Sequence, residues 1–298
     1  MFDEKPKKDI LNVSKIKCSN CNYSFYTSSS NSVSRCVVCN SGRLEQNKGE
    51  QDITDCYVLS FRKSISDARK EYQKKIKYNP FIPFVFRKKA TMNCISKIYV
   101  PALLVDFNMK GDVDFLAGDK VGVVNNGKKQ VENRKFAVSA TVNFDYRKLP
   151  LCISSLISNT KFNSISKFNF NNLQKFSDVF VQNVSVMNSN LDIAEVGNRN
   201  RDYIVGKSLQ LVKDNIPHQL KKVVNNKADI MFSNSVSVLL PFYYFSFKYG
   251  KSNYTFIMNG ETGESTFDLA FGKLEIILFG LLLVAFVFGF IFLIFNFL

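Results

Sequence analysis

Histidine is nearly absent from this chain of 298 residues, with His218 its single copy. A catalytic triad, a histidine-built metal centre or an HExxH site would each have to draw on that one residue. It follows Pro217 in a stretch that reads as a surface loop. No GxSxG motif occurs. Gly206-Lys207-Ser208 has the tail of a phosphate-binding loop, but Arg201 stands where the leading glycine is required. The N-terminus, MFDEKPKKDILNVSKIK, lacks an apolar core and so is not a secretory signal. No run of five or more lysines or arginines appears. Long apolar stretches are equally scarce, with one exception at the end of the sequence.

That exception organises the chain. From Ile276 to Leu298 the 23 residues are apolar apart from Gly280, Gly289 and Asn296, and Glu275 is the one charge after Leu274. At about 1.5 Å of rise per residue, such a helix crosses a hydrocarbon core of roughly 30 Å. A buried core helix is the alternative, but it would rarely lack a polar face over this length. The sequence therefore predicts a single C-terminal transmembrane helix over 274–298, tail-anchored in the cell membrane, with a soluble N-terminal head. All 40 lysines and arginines precede the apolar run, and the net charge is +15. That charge suits an anionic membrane surface or a nucleic acid, or reflects a lysine- and asparagine-rich composition alone. Scattered cysteines (Cys56, Cys94, Cys152) suit a reducing compartment, so the head is expected in the cytoplasm.

The other four cysteines are patterned. Cys18-Ser-Asn-Cys21 and Cys36-Val-Val-Cys39 are two hooks separated by fourteen residues. Two such hooks can place four thiolates tetrahedrally around one structural Zn²⁺, a closed site with no position for a substrate. The insert between the hooks suits a short hairpin, and Gly42 can relax the turn after the second. Around the hooks, Tyr23, Phe25 and Tyr26, with Lys15, Lys17 and Arg35, could stack bases and contact phosphates. The same aromatics could instead pack a small core or meet a protein partner.

The chain divides into a mobile tail (1–17), the zinc ribbon (18–42), a polar linker (43–51), a strand-rich α+β domain (52–273) and the anchor (274–298). Within the domain, 52–61, 97–109, 112–124, 131–146 and 253–260 read as strands, and 230–248 reads as paired strands. Asn125–Lys129 is a hairpin turn. Ser66–Tyr78 reads as a helix capped by Ser66, broken by NPFIPF (79–84); 191–216 has helical spacing, and 178–188 reads as a further strand. Pro101 marks its strand as an edge or bulged one. Asp112 and Asp114 share one face of an alternating strand, a metal-binding pair only if a third ligand joins them.

The ribbon, PFIPF at Pro80–Phe84, KIYVPALLVDF at Lys97–Phe107 and LLPFYYFSFKYGKSNYTFIMNGETGES at Leu239–Ser265 resemble the bacterial transcription-factor-IIB-type zinc-ribbon-containing proteins. The resemblance implies zinc at Cys18, Cys21, Cys36 and Cys39 and implies no established activity. An aromatic usual in that family is missing within Ala102–Val105, and Glu261 stands where glutamine is usual. The family's helicase-type or primosomal label does not carry over, because the chain has neither a Walker loop nor helicase motifs. The reading that follows is a non-enzymatic protein-interaction or assembly factor at the membrane. The alternatives are a membrane-tethered nucleic-acid-binding protein and an enzyme of unknown reaction.

Overall fold

The structure is a computed structural model, and it describes residues 13–28, 33–47, 56–125, 128–189, 193–216, 220–249, 252–268 and 272–297. His218, residues 1–12 of the expected tail, 48–51 of the linker and 52–55 of the first expected strand lie outside these. The fold is mixed α+β and strand-rich. In chain order the elements are β1 (Val13–Cys18), β2 (Ser24–Ser28), β3 (Leu44–Asn47), β4 (Tyr57–Val58), α1 (Ile65–Lys77), α2 (Lys89–Met92), β5 (Ser96–Asn125) and β6 (Lys128–Cys152). They continue with α3 (Asn159–Ser164), β7 (Gln174–Lys175), β8 (Ser185–Met187), α4 (Ile193–Asp214), β9 (Leu220–Asn226), β10 (Asp229–Tyr249), β11 (Ser252–Asn259), β12 (Ser265–Phe267) and α5 (Lys273–Phe297).

These elements fall into two compact units. The first holds residues 1–101, 154–190 and 238–298. Its strands follow the order β12-β11-β10-β5-β8-β2-β1-β3, with β4 paired in parallel to β10 through Tyr57↔Val238 and Val58↔Leu239. Helix α1 covers one part of this sheet. Ala68, Tyr72 and Ile76 recur every four residues and are buried against Tyr243, Phe245, Phe256 and Met258. Tyr72 makes edge-on ring contacts with Phe245, Phe256 and Phe267, and its hydroxyl donates to the Phe86 carbonyl at 3.0 Å. The helix starts earlier than expected, its cap displaced by two residues. The cap is Ser64, not Ser66, because Asp67 sits three residues on and its carboxylate accepts a hydrogen bond from the Ser64 amide, completing a capping box.

The second unit holds residues 102–153 and 191–237. It is built on a long antiparallel hairpin of β5 and β6, in register from Ala102↔Cys152 to Asn125↔Lys128. That last pair falls within the turn signal expected at Asn125–Lys129, of which Asn126 and Gly127 lie outside the described residues. The expected strands 97–109 and 112–124 are one element, kinked where the register shifts between Val105 and Phe107. Helix α4 lies where helical spacing placed it and buries Val196, Ile204 and Val212 against the hairpin's inward residues.

Three expectations differ from the structure. Residues 230–248 form one continuous strand, β10, with Pro241 inside it, not a pair. Only β8 (Ser185–Met187) of the expected strand at 178–188 is extended, and Asp178–Val181 is a 3-10 turn. The ribbon also runs beyond 18–42. β1 begins at Val13, inside the expected tail, and β3 occupies part of the expected linker, because both pair to complete the ribbon's own ladder.

Candidate metal centre

The two cysteine hooks turn in the same way, the first at the end of β1 and the second between β2 and β3. In the first, the Cys18 amide donates to the Tyr23 carbonyl at 3.0 Å and the Asn22 amide donates to the Cys18 carbonyl at 2.8 Å. In the second, Cys36 donates to the Ser41 carbonyl at 2.8 Å and Asn40 to the Cys36 carbonyl at 2.8 Å. The offsets are identical, so the two hooks are repeats of one turn. Asn22 and Asn40 occupy the same place in each, in the left-handed region at φ 57° and 58°. Asparagine tolerates that region better than other residues with a Cβ. The turn role expected of Gly42 thus belongs to these two asparagines, and Gly42 has no positive φ. The signal was present in the sequence as Cys-x-x-Cys-Asn, written twice.

This repeat brings the four sulfurs together. Cys18 Sγ lies 3.6 Å from Cys39 Sγ, and Cys21 Sγ lies 3.7 Å from Cys36 Sγ. All four ligand atoms fall within 4.8 Å of one another. A disulfide needs about 2.05 Å, so none is formed. A tetrahedron with metal–sulfur bonds of about 2.3 Å has edges of about 3.8 Å, which the two close pairs match. Cys18 and Cys36 are buried, while Cys21 and Cys39 are half-buried.

The surroundings split the thiols electrostatically. Burial pushes Cys21 up to about 11, and it pushes Cys36 further still. Burial also opposes ionisation of Cys39, but the Asn20 side chain, the Ser41 amide and the neighbouring thiols outweigh it and bring Cys39 down to about 7. Cys39 is therefore the first of these three to offer a thiolate. The Asn20 amide reaches its sulfur at 3.5 Å, and the Val38 amide reaches Cys36 Sγ at 3.4 Å. Such N–H···S bonds orient ligand sulfurs and temper their charge. The residues present fit a soft metal bound by four thiolates.

The ribbon is sewn into the larger sheet. β2 pairs with β1 on one side (Ile16↔Phe25) and with β8 on the other (Phe25↔Met187, Tyr26↔Val186). The insert between the hooks contributes β2, which pairs outward with β8 as well as with β1, and residues 29–32 of the short hairpin expected there lie outside the described residues. This decides the fate of the candidate base-stacking residues. Phe25 is fully buried and Tyr26 is 3 % exposed, packed with Val58, Tyr99 and Val186. The Tyr26 hydroxyl donates to Asn188 Oδ1 at 3.2 Å, and Lys15 Nζ lies 5.8 Å from its ring centre. Tyr23 is half-buried, its hydroxyl 2.7 Å from Ser154 Oγ. Lys17 and Arg35 are exposed. The aromatics thus serve the core, and no stacking platform forms from Phe25 and Tyr26.

Other candidates resolve into structure. Asp112 and Asp114 do share a face, where they accept hydrogen bonds from the cross-strand hydroxyls of Thr141 at 2.7 Å and Ser139 at 2.6 Å. Gly206-Lys207-Ser208 lies inside α4, and Ser208 Oγ bonds back to the Ile204 carbonyl. The MNGETG segment is a tight turn. Asn259 Nδ2 donates to the carbonyls of Ile165 and Lys167, and its Oδ1 accepts from the amides of Glu261 and Thr262. Glu261 Oε2 accepts from the Asn169 amide at 2.9 Å, and Oε1 lies 3.6 Å from Arg62 Nε. A Cβ on Gly260 would fall 2.6 Å from a Phe61 ring atom, which explains glycine there.

Helix α5 is apolar. Its span Leu274–Ile294 has a mean hydropathy of 3.1, and beyond Glu275, which is buried, its described side chains are exposed or half-buried. Among curated proteins the chain is similar to the uncharacterized protein YdjG of Bacillus subtilis (strain 168), 21 % identical over 216 residues. The match covers 70 % of this chain and 61 % of that protein, so the chain spans about three fifths of its relative's length. No family model and no solved structure matches the chain.

Proposed function

We propose that this is a membrane-anchored protein whose cytoplasmic head carries one structural Zn²⁺ at Cys18, Cys21, Cys36 and Cys39 and acts as a protein-interaction or assembly factor at the membrane. The observation that carries this reading is the closed ribbon built into the sheet of the unit that also bears α5. Four thiolates leave a zinc ion no open position, so the ion would hold the two hooks and through them β1, β2 and β3. Zinc is favoured over iron because it asks for tetrahedral geometry and serves folding without redox chemistry. Cysteines elsewhere that form no disulfide, and the lysine-rich head, support a cytoplasmic placement. The apolar helix, 21 residues over Leu274–Ile294 and largely exposed beyond Glu275, supports the anchor. Burial of Phe25 and Tyr26 argues against the alternative of a nucleic-acid reader.

The test is in-cell crosslinking of the full-length protein, mild-detergent purification, and identification of what accompanies it. A discrete set of membrane proteins, lost in Cys18→Ser, supports the reading. Nucleic acid that survives nuclease treatment and binds with steep salt dependence would replace it with the nucleic-acid reading.

A further inference from the structure

The beginning of α5 is held by a loop 191 residues upstream. The Gly272 amide donates to the Phe81 carbonyl at 2.8 Å, and the Phe84 amide donates to Glu275 Oε1 at 3.1 Å. The rings of Phe81 and Phe279 meet edge-on with centres 5.0 Å apart. A Cβ on Gly272 would collide with the Glu275 carboxylate and press on Pro83, so the approach is close. Glu275 marks the charged limit of the apolar run, which starts at Ile276. The loop is thereby fixed at the depth where that run begins.

What this loop presents outward is unusual for a soluble surface. Tyr78 is 77 % exposed and Phe84 57 %. Each carries a cation over its ring, Lys77 Nζ at 5.1 Å from Tyr78 and Arg87 at 5.8 Å from Phe84. Lys74, Lys75 and Lys77 fill the last turn of α1 immediately before it. No acidic residue occurs between Glu71 and Asp106. Exposed aromatics mixed with basic side chains beside a membrane span are the composition of a membrane interface. Basic clusters at that level attract anionic headgroups.

We infer that this loop is a platform for an anionic lipid surface. Tyr78 and Phe84 sit among the headgroups, and Lys74, Lys75, Lys77 and Arg87 meet the lipid phosphates. This rests on α5 spanning a membrane. The platform holds the head against the leaflet from which α5 enters, so the anchor is no slack tether.

The chain has no tryptophan, so one introduced residue reports alone. The full-length variants Phe84→Trp and Phe286→Trp are placed in nanodiscs of phosphatidylcholine, or of phosphatidylcholine with about one third phosphatidylglycerol. Both contain acyl-brominated lipid as quencher. Phe286→Trp is expected to be quenched in both. Phe84→Trp is expected to shift to the blue and be quenched in the anionic discs. Adding Lys74→Gln, Lys75→Gln and Lys77→Gln should lower the ratio of engaged to free loop by roughly fivefold per lysine. Water-like emission from Phe84→Trp in anionic discs, with Phe286→Trp quenched, overturns the platform and leaves the span standing. Equal quenching of Phe84→Trp in neutral discs and after loss of the lysines overturns the anionic surface as its partner. Absence of quenching at Phe286→Trp overturns the span, and the platform with it.

Discussion

Asn22 and Asn40 hold a conformation that costs most residues about 1–2 kcal/mol. Asn22→Ala is therefore expected to weaken zinc binding by about tenfold in chelator competition, while Asn22→Gly stays within about twofold. Asn40 has a second duty, since its amide donates to Cys94 Sγ at 3.2 Å, so Asn40→Gly should cost more than Asn22→Gly. Acid should release the metal. Cys21 and Cys36 are held protonated by burial, so a metal must displace their protons, and apparent affinity should fall from about pH 8 to about pH 6. Without metal the sign in alkali is also fixed. The folded ribbon keeps Cys21 protonated, and this contribution is complete below its ordinary value of 9.0 and lost as pH rises towards about 11. Protease resistance of the metal-free ribbon should decline across that range, and excess zinc should abolish the decline. The gathering of the four cysteines was legible in the sequence because their spacing within each hook is local. The burial of Phe25 and Tyr26 was not, because it depends on Met187 and Val186, more than 150 residues away.

At the scale of elements, the local signals held where local physics decides. Three lysines close α1, and the amphipathic spacing of α4 placed it within two residues at each end. The helix start was displaced because Ser64 and Ser66 are equal as caps in isolation, and Asp67 decides between them. Ser64→Ala should cost about 1 kcal/mol, read as a lower thermal midpoint of the full-length protein in detergent, with Ser66→Ala near neutral. The length of β10 was illegible, since residues 230–248 read as paired strands and form one, with Pro241 inside it. Pro241 has no amide to give, yet its carbonyl accepts from the Gly260 amide at 2.8 Å. Gly260 has no space for a methyl group between Phe61 and Pro241. Gly260→Ala is expected to destabilise by about 1–3 kcal/mol, checked by the same melting experiment.

For the whole molecule, the proposed anchor and the proposed metal site are expected to be separable. A chain ending before Lys273 should leave the membrane fraction yet retain zinc at one ion per chain, measured by flotation and by elemental analysis of the released protein. Metal loss on truncation would contradict that separability. The strand order carries a further consequence, in time. β4 at Tyr57–Val58 finds its partner in β10 at Val238–Leu239, and β7, its other neighbour, at Gln174–Lys175. A ribosome adds about 5–20 residues each second. The backbone edge of β4 therefore waits on the order of ten seconds or more before the strand that covers it has been made. During that wait Val58 and Leu59, both buried in the finished fold, stand open to any chaperone or protease in reach. The first unit is completed late in synthesis, and interrupted translation products of this chain should be substrates for cellular quality control.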